Sequence, residues 1–182
     1  MIRLLFITGV SKFAKVSIFS DLNHLSDLTI HPDYTTLTGY TQEELEFYFE
    51  DHIQIVQNKL KISRADLLEA MRVWYDGFSW DGVNKLYNPF GTINFLDHKR
   101  FHNFWFSSGT PTFLLQEMKK HHHFIVENSA ISSDTLEKYD IENVDLIPLL
   151  FQTGYLTIKN LDPMTGDTVL DYPNKEVRES MH

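Results

Sequence analysis

The chain has no cysteine. That excludes a disulfide framework and thiolate metal sites, and favours a reducing compartment, so the expected location is the cytoplasm. None of its 8 glycines is followed by lysine. It therefore lacks the G-x-x-x-x-G-K-[ST] loop whose backbone N–H groups wrap phosphates, whose lysine neutralises charge and whose hydroxyl binds magnesium. A magnesium-holding carboxylate at the end of an apolar strand is missing as well: the strongest such run ends in Thr8-Gly9, and Asp145 precedes an apolar segment instead of following one. The chain alone is expected neither to hydrolyse ATP nor to carry a cofactor. Basic residues are also scarce, 16 Lys and Arg against 25 Asp and Glu for a net charge of −9, and they are scattered, which disfavours attraction to polyphosphate backbones. No apolar run is long enough to span a bilayer. The first is interrupted by Lys12 and Lys15 and has no small-residue cleavage pattern after it, so no membrane partner is expected.

What is present begins with Ile2-Arg3-Leu4-Leu5-Phe6-Ile7-Thr8-Gly9. This run is rich in branched and aromatic residues and predicts a strand buried on both faces of a parallel sheet. Without upstream neighbours its backbone would be an open edge, which predicts self-association through Ile2 to Thr8. Leu25 to Ile30 predicts a further short strand, ended by His31-Pro32-Asp33. Thr41-Gln42-Glu43-Glu44 is a capping box that predicts a helix through about Asn58, with Leu45, Tyr48, Phe49, His52, Ile53 and Val56 facing a core. Ser63, with Asp66 three residues on, predicts a second helix carrying Leu67, Leu68, Met71 and Trp74 inward.

From Tyr75 the period changes. Phe78-Ser79-Trp80, Asp81-Gly82 and Lys85-Leu86-Tyr87 predict a hairpin, and Pro89-Phe90 opens a helix to about Leu96. Thr110-Pro111 predicts another helix, to about Lys120. Glu127 to Ile141 is polar with weak strand character. Leu146 to Phe151 predicts a short buried helix ending at Gly154. A hairpin of Tyr155 to Ile158 with Thr168 to Tyr172 follows, and helix plus two-stranded wing suggests a winged-helix-like element.

Six strings occur in an order with a counterpart: Phe6-Ile7-Thr8-Gly9-Val10-Ser11-Lys12-Phe13, Trp74-Tyr75-Asp76-Gly77-Phe78, Leu86-Tyr87-Asn88-Pro89-Phe90, Ser108 to Leu114, Gln152 to Ile158, and Pro173-Asn174-Lys175-Glu176-Val177-Arg178. Together they resemble the AAA-ATPase-like family of bacterial proteins that carries a PD-(D/E)xK nuclease-like domain at its C-terminus. The resemblance covers nearly the whole chain but only the part of the family that follows the phosphate loop. It implies an α/β fragment, mostly helical, in three parts: residues 1–36 as terminal strands of a P-loop sheet, 37–126 as a helical lid with a hairpin, and 127–182 as a winged-helix-like region. It also implies a nucleotide-dependent switch in the full-length protein, with ATP, magnesium and a nucleic-acid partner belonging to that parent alone. The competing expectation is a stand-alone module that binds protein or nucleic acid. An independent enzyme would need a nucleophile, base or metal set that the sequence does not present.

Candidate residues follow. The resemblance implies that Thr8 and Ser11 sense the γ-phosphate and that Lys12 contacts nucleotide; read from the residues alone, Thr8 ends a strand, Ser11 starts a turn and Lys12 is a surface lysine. Trp74 to Phe78 either stacks on a base or sugar or forms a helix-to-strand corner in which Gly77 permits the turn. The helix start at Thr110 either binds an anion or is capped by Thr110 itself. His98 and His102 would share a helix face if that helix continued, and His121-His122-His123 cannot all reach one ion; with no further ligand specified, no metal site is expected. Glu117-Met118-Lys119 and Pro32-Asp33 spell nuclease strings, but on a helix and a distant loop, where they cannot hold one metal.

Overall fold

The computed structural model describes residues 3–9, 26–107, 129–132, 136 and 146–181. Over these the protein is mixed α and β, 47% helical with a small three-stranded antiparallel sheet. It contains α1 (Gln42–Tyr48), α2 (Glu50–Leu60), α3 (Arg64–Tyr75), α4 (Pro89–His98), α5 (Phe104–Ser107), β1 (Ser129–Ser132), α6 (Leu146–Gln152), β2 (Thr157–Leu161), β3 (Asp167–Asp171) and α7 (Lys175–Ser180).

The starts of α1, α3 and α4 are those the sequence signals. Thr41 accepts from the Glu44 N–H while the Glu44 carboxylate accepts from the Thr41 N–H, closing the capping box of α1. Ser63 caps α3 through the Asp66 N–H, and Asn88 caps α4 through the Gly91 N–H, with Pro89 in the first turn. The single helix expected to Asn58 is divided at Phe49, where φ −116° and ψ 16° interrupt the spiral. Positions four apart across that interruption no longer share a face. Leu45, Ile53 and Val56 are buried as expected, whereas Tyr48 and His52 are exposed. Arg64 braces the corner, donating to Glu46 and Glu50 at 2.7 Å each.

Two other expectations are corrected. Residues 3–9 form no strand, and Leu4, Leu5, Phe6 and Ile7 are exposed. A strand exists only through its ladder partners, and among the described residues none pairs with this segment. Ser26 to Ile30 is loop and turn, because the Asp27 carboxylate accepts from both the N–H and the hydroxyl of Thr29. The hairpin expected around Asp81-Gly82 is a tight reversal held by one antiparallel bridge, Phe78 with Leu86. The helix expected from Thr110 lies outside the described residues.

The sheet is antiparallel in the order β1-β3-β2, with a bulge in β2 between Ile158 and Asn160. A hairpin falls where one was expected, but its first strand runs from Thr157 to Leu161 instead of Tyr155 to Ile158; β1 adds a third strand from the weakly marked Glu127 to Ile141 stretch. Two apolar clusters result. One gathers Leu45, Ile53, Val56, Leu67, Met71, Tyr75, Tyr87 and Phe95 from α1 to α4. The other gathers Leu149, Leu150, Leu156, Ile158, Leu170 and Val177 from α6, the sheet and α7.

Hydrogen bonds tie the segment after α3 to the start of β2. The buried Thr157 hydroxyl accepts from the Ser79 N–H at 2.7 Å and donates to the Ser79 carbonyl at 3.0 Å, and the Ile158 N–H reaches the same carbonyl at 3.3 Å. Thr157→Val keeps the shape but orphans a buried N–H, so it is expected to cost about 1–3 kcal/mol in urea unfolding. A loss indistinguishable from zero would show that this stitch is not used in solution.

Candidate functional site

Three of the six ordered strings converge at one place. At the end of α3 Asp76 leaves the helix with extended backbone, its N–H still on the Arg72 carbonyl, and Gly77 turns the chain at φ +116°. The Tyr75 carbonyl accepts from the Asn88 N–H at 3.0 Å, which fixes the start of α4 against the end of α3. The Tyr75 hydroxyl donates to the His102 carbonyl at 3.0 Å and accepts from the His102 N–H at 3.2 Å. Its ring lies among Phe95, Phe101 and Trp74. The third string, from α7 and its approach, closes on this corner: the Pro173 carbonyl lies against Gly77, and the Lys175 ammonium sits 4.5 Å above the Trp74 ring.

Glu176 is the chemical centre of the junction. It is fully buried, and its Oε1 accepts from the Phe104 N–H at 2.8 Å and the Trp105 N–H at 2.9 Å, where α5 starts. Its Oε2 has no hydrogen-bond partner among the described residues and lies against Gly91, where an added Cβ would be 2.7 Å away. Burial pushes this carboxyl up to about 7, with the Trp105 and Phe104 amides pulling the other way. Gly91 thus makes room for a carboxyl group, while Glu176 ties α7 to α5.

Next to the junction an open cleft of about 160 Å³ is lined by Arg72, Val73, Asp76, Gly77, Lys85 and Pro173. Burial raises the Asp76 carboxyl above its ordinary value, against the Gly77 N–H and the charges of Lys85 and Arg72. Asp76 Oδ1 is buried without a hydrogen-bond partner among the described residues, while Arg72 is engaged by Glu69 at 2.8 Å. The cleft offers a shielded carboxyl between two cations. Among the described residues no group of three or more His, Asp or Glu is placed to hold a metal ion.

The residues singled out in the sequence are spread more widely. Thr8 is exposed in residues 3–9 and does not line the cleft; Ser11 and Lys12 lie outside the described residues, as do Glu117, Lys119 and His121 to His123. His98 and His102 do not share a helix, because Lys99 ends α4 in the left-handed region at φ 56°. Pro32-Asp33 forms a 3-10 turn. Trp74 to Phe78 is the helix-to-strand corner that glycine permits, with most of its ring surface spent on packing. Glu176, Arg72 and Lys85 carry no local sequence signal that marks them as site residues. Asn174 marks a helix start through the Val177 N–H, but nothing local shows that the glutamate two residues later is buried under other elements.

No family model matches the chain, and no solved structure matches it. Among curated proteins it is 31% identical, over 185 residues and 100% of its own length, to a protein of Azotobacter chroococcum mcd 1 described as an uncharacterized protein in the vnfD 5′ region. The chain spans 34% of that relative's length.

Proposed function

We propose that the chain is the lid-and-wing portion of a cytoplasmic, AAA-ATPase-like nucleotide-dependent switch, the part that follows the phosphate loop. One observation carries the reading: strings that resemble this family, far apart in sequence, meet at one junction, through Tyr75 and Gly77, Asn88, and Pro173 and Glu176. Such a junction ties α3 and α4, the lid, to α7 and the sheet, the winged-helix-like part. A change imposed on the lid by nucleotide would pass through Glu176 and Gly77 to whatever follows α7. The phosphate loop and the acidic metal-binding strand of the ATP site would come from sequence outside this chain, with Thr8 and Ser11 supplying its sensor residues and Lys12 a nucleotide contact.

The test uses two proteins, this chain and the full-length Azotobacter relative. Calorimetry with ATP and magnesium is expected to give no saturable binding to this chain and saturable binding to the relative. A relative that binds no ATP would overturn the reading, and so would tight binding by the chain alone, which would place the site within it.

A further inference from the structure

A surface distant in kind from the buried junction is formed by α1 and α2. Phe47 is 78% exposed, Tyr48 67% and Ile55 52%, and the two rings meet edge to face at 5.1 Å. Scattered exposed apolar residues such as Ile55 are ordinary, but two adjoining rings on the outer side of a kinked helix pair are concentrated apolar surface. The kink at Phe49 turns Tyr48 outward, and the Arg64 brace between Glu46 and Glu50 holds that corner in place.

The charge on the chain around these two rings has one sign. Residues 41–58 hold Glu43, Glu44, Glu46, Glu50 and Asp51 and no lysine or arginine. Arg64 answers Glu46 and Glu50, and Glu44 is tied to the Thr41 N–H. Glu43 and Asp51 have no ion-pair partner among the described residues. Lys59 and Lys61 stand at the other end of α2. Phosphate backbones and anionic lipid surfaces would be repelled here, whereas cationic side chains would be attracted.

We propose that α1 and the start of α2 form a docking surface for a basic amphipathic helical segment of a protein partner, its apolar face covering Phe47 and Tyr48 and its lysines or arginines facing Glu43 and Asp51. Aromatic anchors within a charged rim are how such interfaces divide affinity from selectivity. The surface acts independently of the nucleotide reading, so either can fail alone.

Fluorescence anisotropy on the full chain tests it, with a labelled helical peptide carrying leucine at i, i+3, i+4 and i+7 and flanking lysines as the probe. Saturable binding that weakens with added salt is expected. Phe47→Ser or Tyr48→Ser should weaken it by roughly tenfold, as for a central aromatic anchor. Asp51→Lys should also weaken it, and these exposed changes should leave the circular dichroism unaltered. Equal binding by a peptide with the same leucines and flanking glutamates would overturn the proposal, as would lack of saturation or variants that bind like wild type. Preferential binding to phosphatidylserine vesicles would overturn it in favour of a membrane surface.

Discussion

Gly77→Ala is expected to destabilise the protein by about 3–5 kcal/mol, through two causes that act on one atom. The backbone at Gly77 has φ +116°, a region that side-chain-bearing residues rarely enter, and the new Cβ would lie 2.0 Å from the Pro173 carbonyl oxygen. Neither side can yield easily. The Asp76 N–H is bonded to Arg72, Phe78 exchanges two hydrogen bonds with Leu86, and Pro173 leads directly into the Asn174 cap of α7. Gly82 provides the comparison: it too has positive φ, 77°, but an added Cβ there meets its nearest neighbour at 3.1 Å. Gly82→Ala should therefore cost less. Urea unfolding of the two variants checks the order, and a Gly77→Ala protein within 1 kcal/mol of wild type would mean that the corner and Pro173 do not meet as described.

The second large effect is a pH dependence centred on Glu176. Its carboxyl is pushed up to about 7 in the folded protein, from 4.5 when exposed, so the folded state holds a proton that the unfolded chain has already released. Stability from this group is then fully present below about pH 4.5, falls as pH rises towards 7, and levels off above it. The whole change amounts to about 3 kcal/mol at 1.36 kcal/mol per unit. Asp76, also raised by burial, adds in the same direction. Asp171 opposes them at lower pH. Burial works against its charge, but the Lys159 hydrogen bond, the Tyr172 N–H and the Lys159 and Arg178 charges together hold it below the ordinary carboxylate value. The informative measurement is the difference between wild type and Glu176→Gln, which keeps an oxygen for the Phe104 and Trp105 amides and removes the titration. That difference should shift by about 3 kcal/mol, with wild type losing ground to the variant, between pH 4.5 and 7. A difference that stays constant across this window would show that Glu176 remains accessible to solvent.

The locally encoded parts of the fold were legible because their causes are local. A threonine and a glutamate three residues apart satisfy each other's amides wherever the helix lies, so the start of α1 could be read off, as could those of α3 and α4 from Ser63 and Pro89. The β2–β3 hairpin and the glycine corner at Gly77 were also within reach, since turn chemistry acts over four residues. Where the outcome depends on a partner, the sequence was ambiguous. The apolar segment near the start has the composition of a buried strand, but composition carries no ladder partner, and Leu4 to Ile7 stand exposed in the described structure.

The candidate site divides in the same way. Sequence alone determined the absence of a G-K phosphate loop and of thiolate chemistry, the acidic balance, and the strings whose order carries the resemblance. Only the tertiary structure decided that three of those strings share one junction. Only it placed a glutamate from α7 on the amides of α5 beneath Gly91, and left Phe47 and Tyr48 outside the core among carboxylates. The physical reason is range. Caps and turns are settled by neighbours along the chain, whereas burial of Glu176 and exposure of Tyr48 are settled by elements up to 72 residues away and by one kink that shifts a helix face.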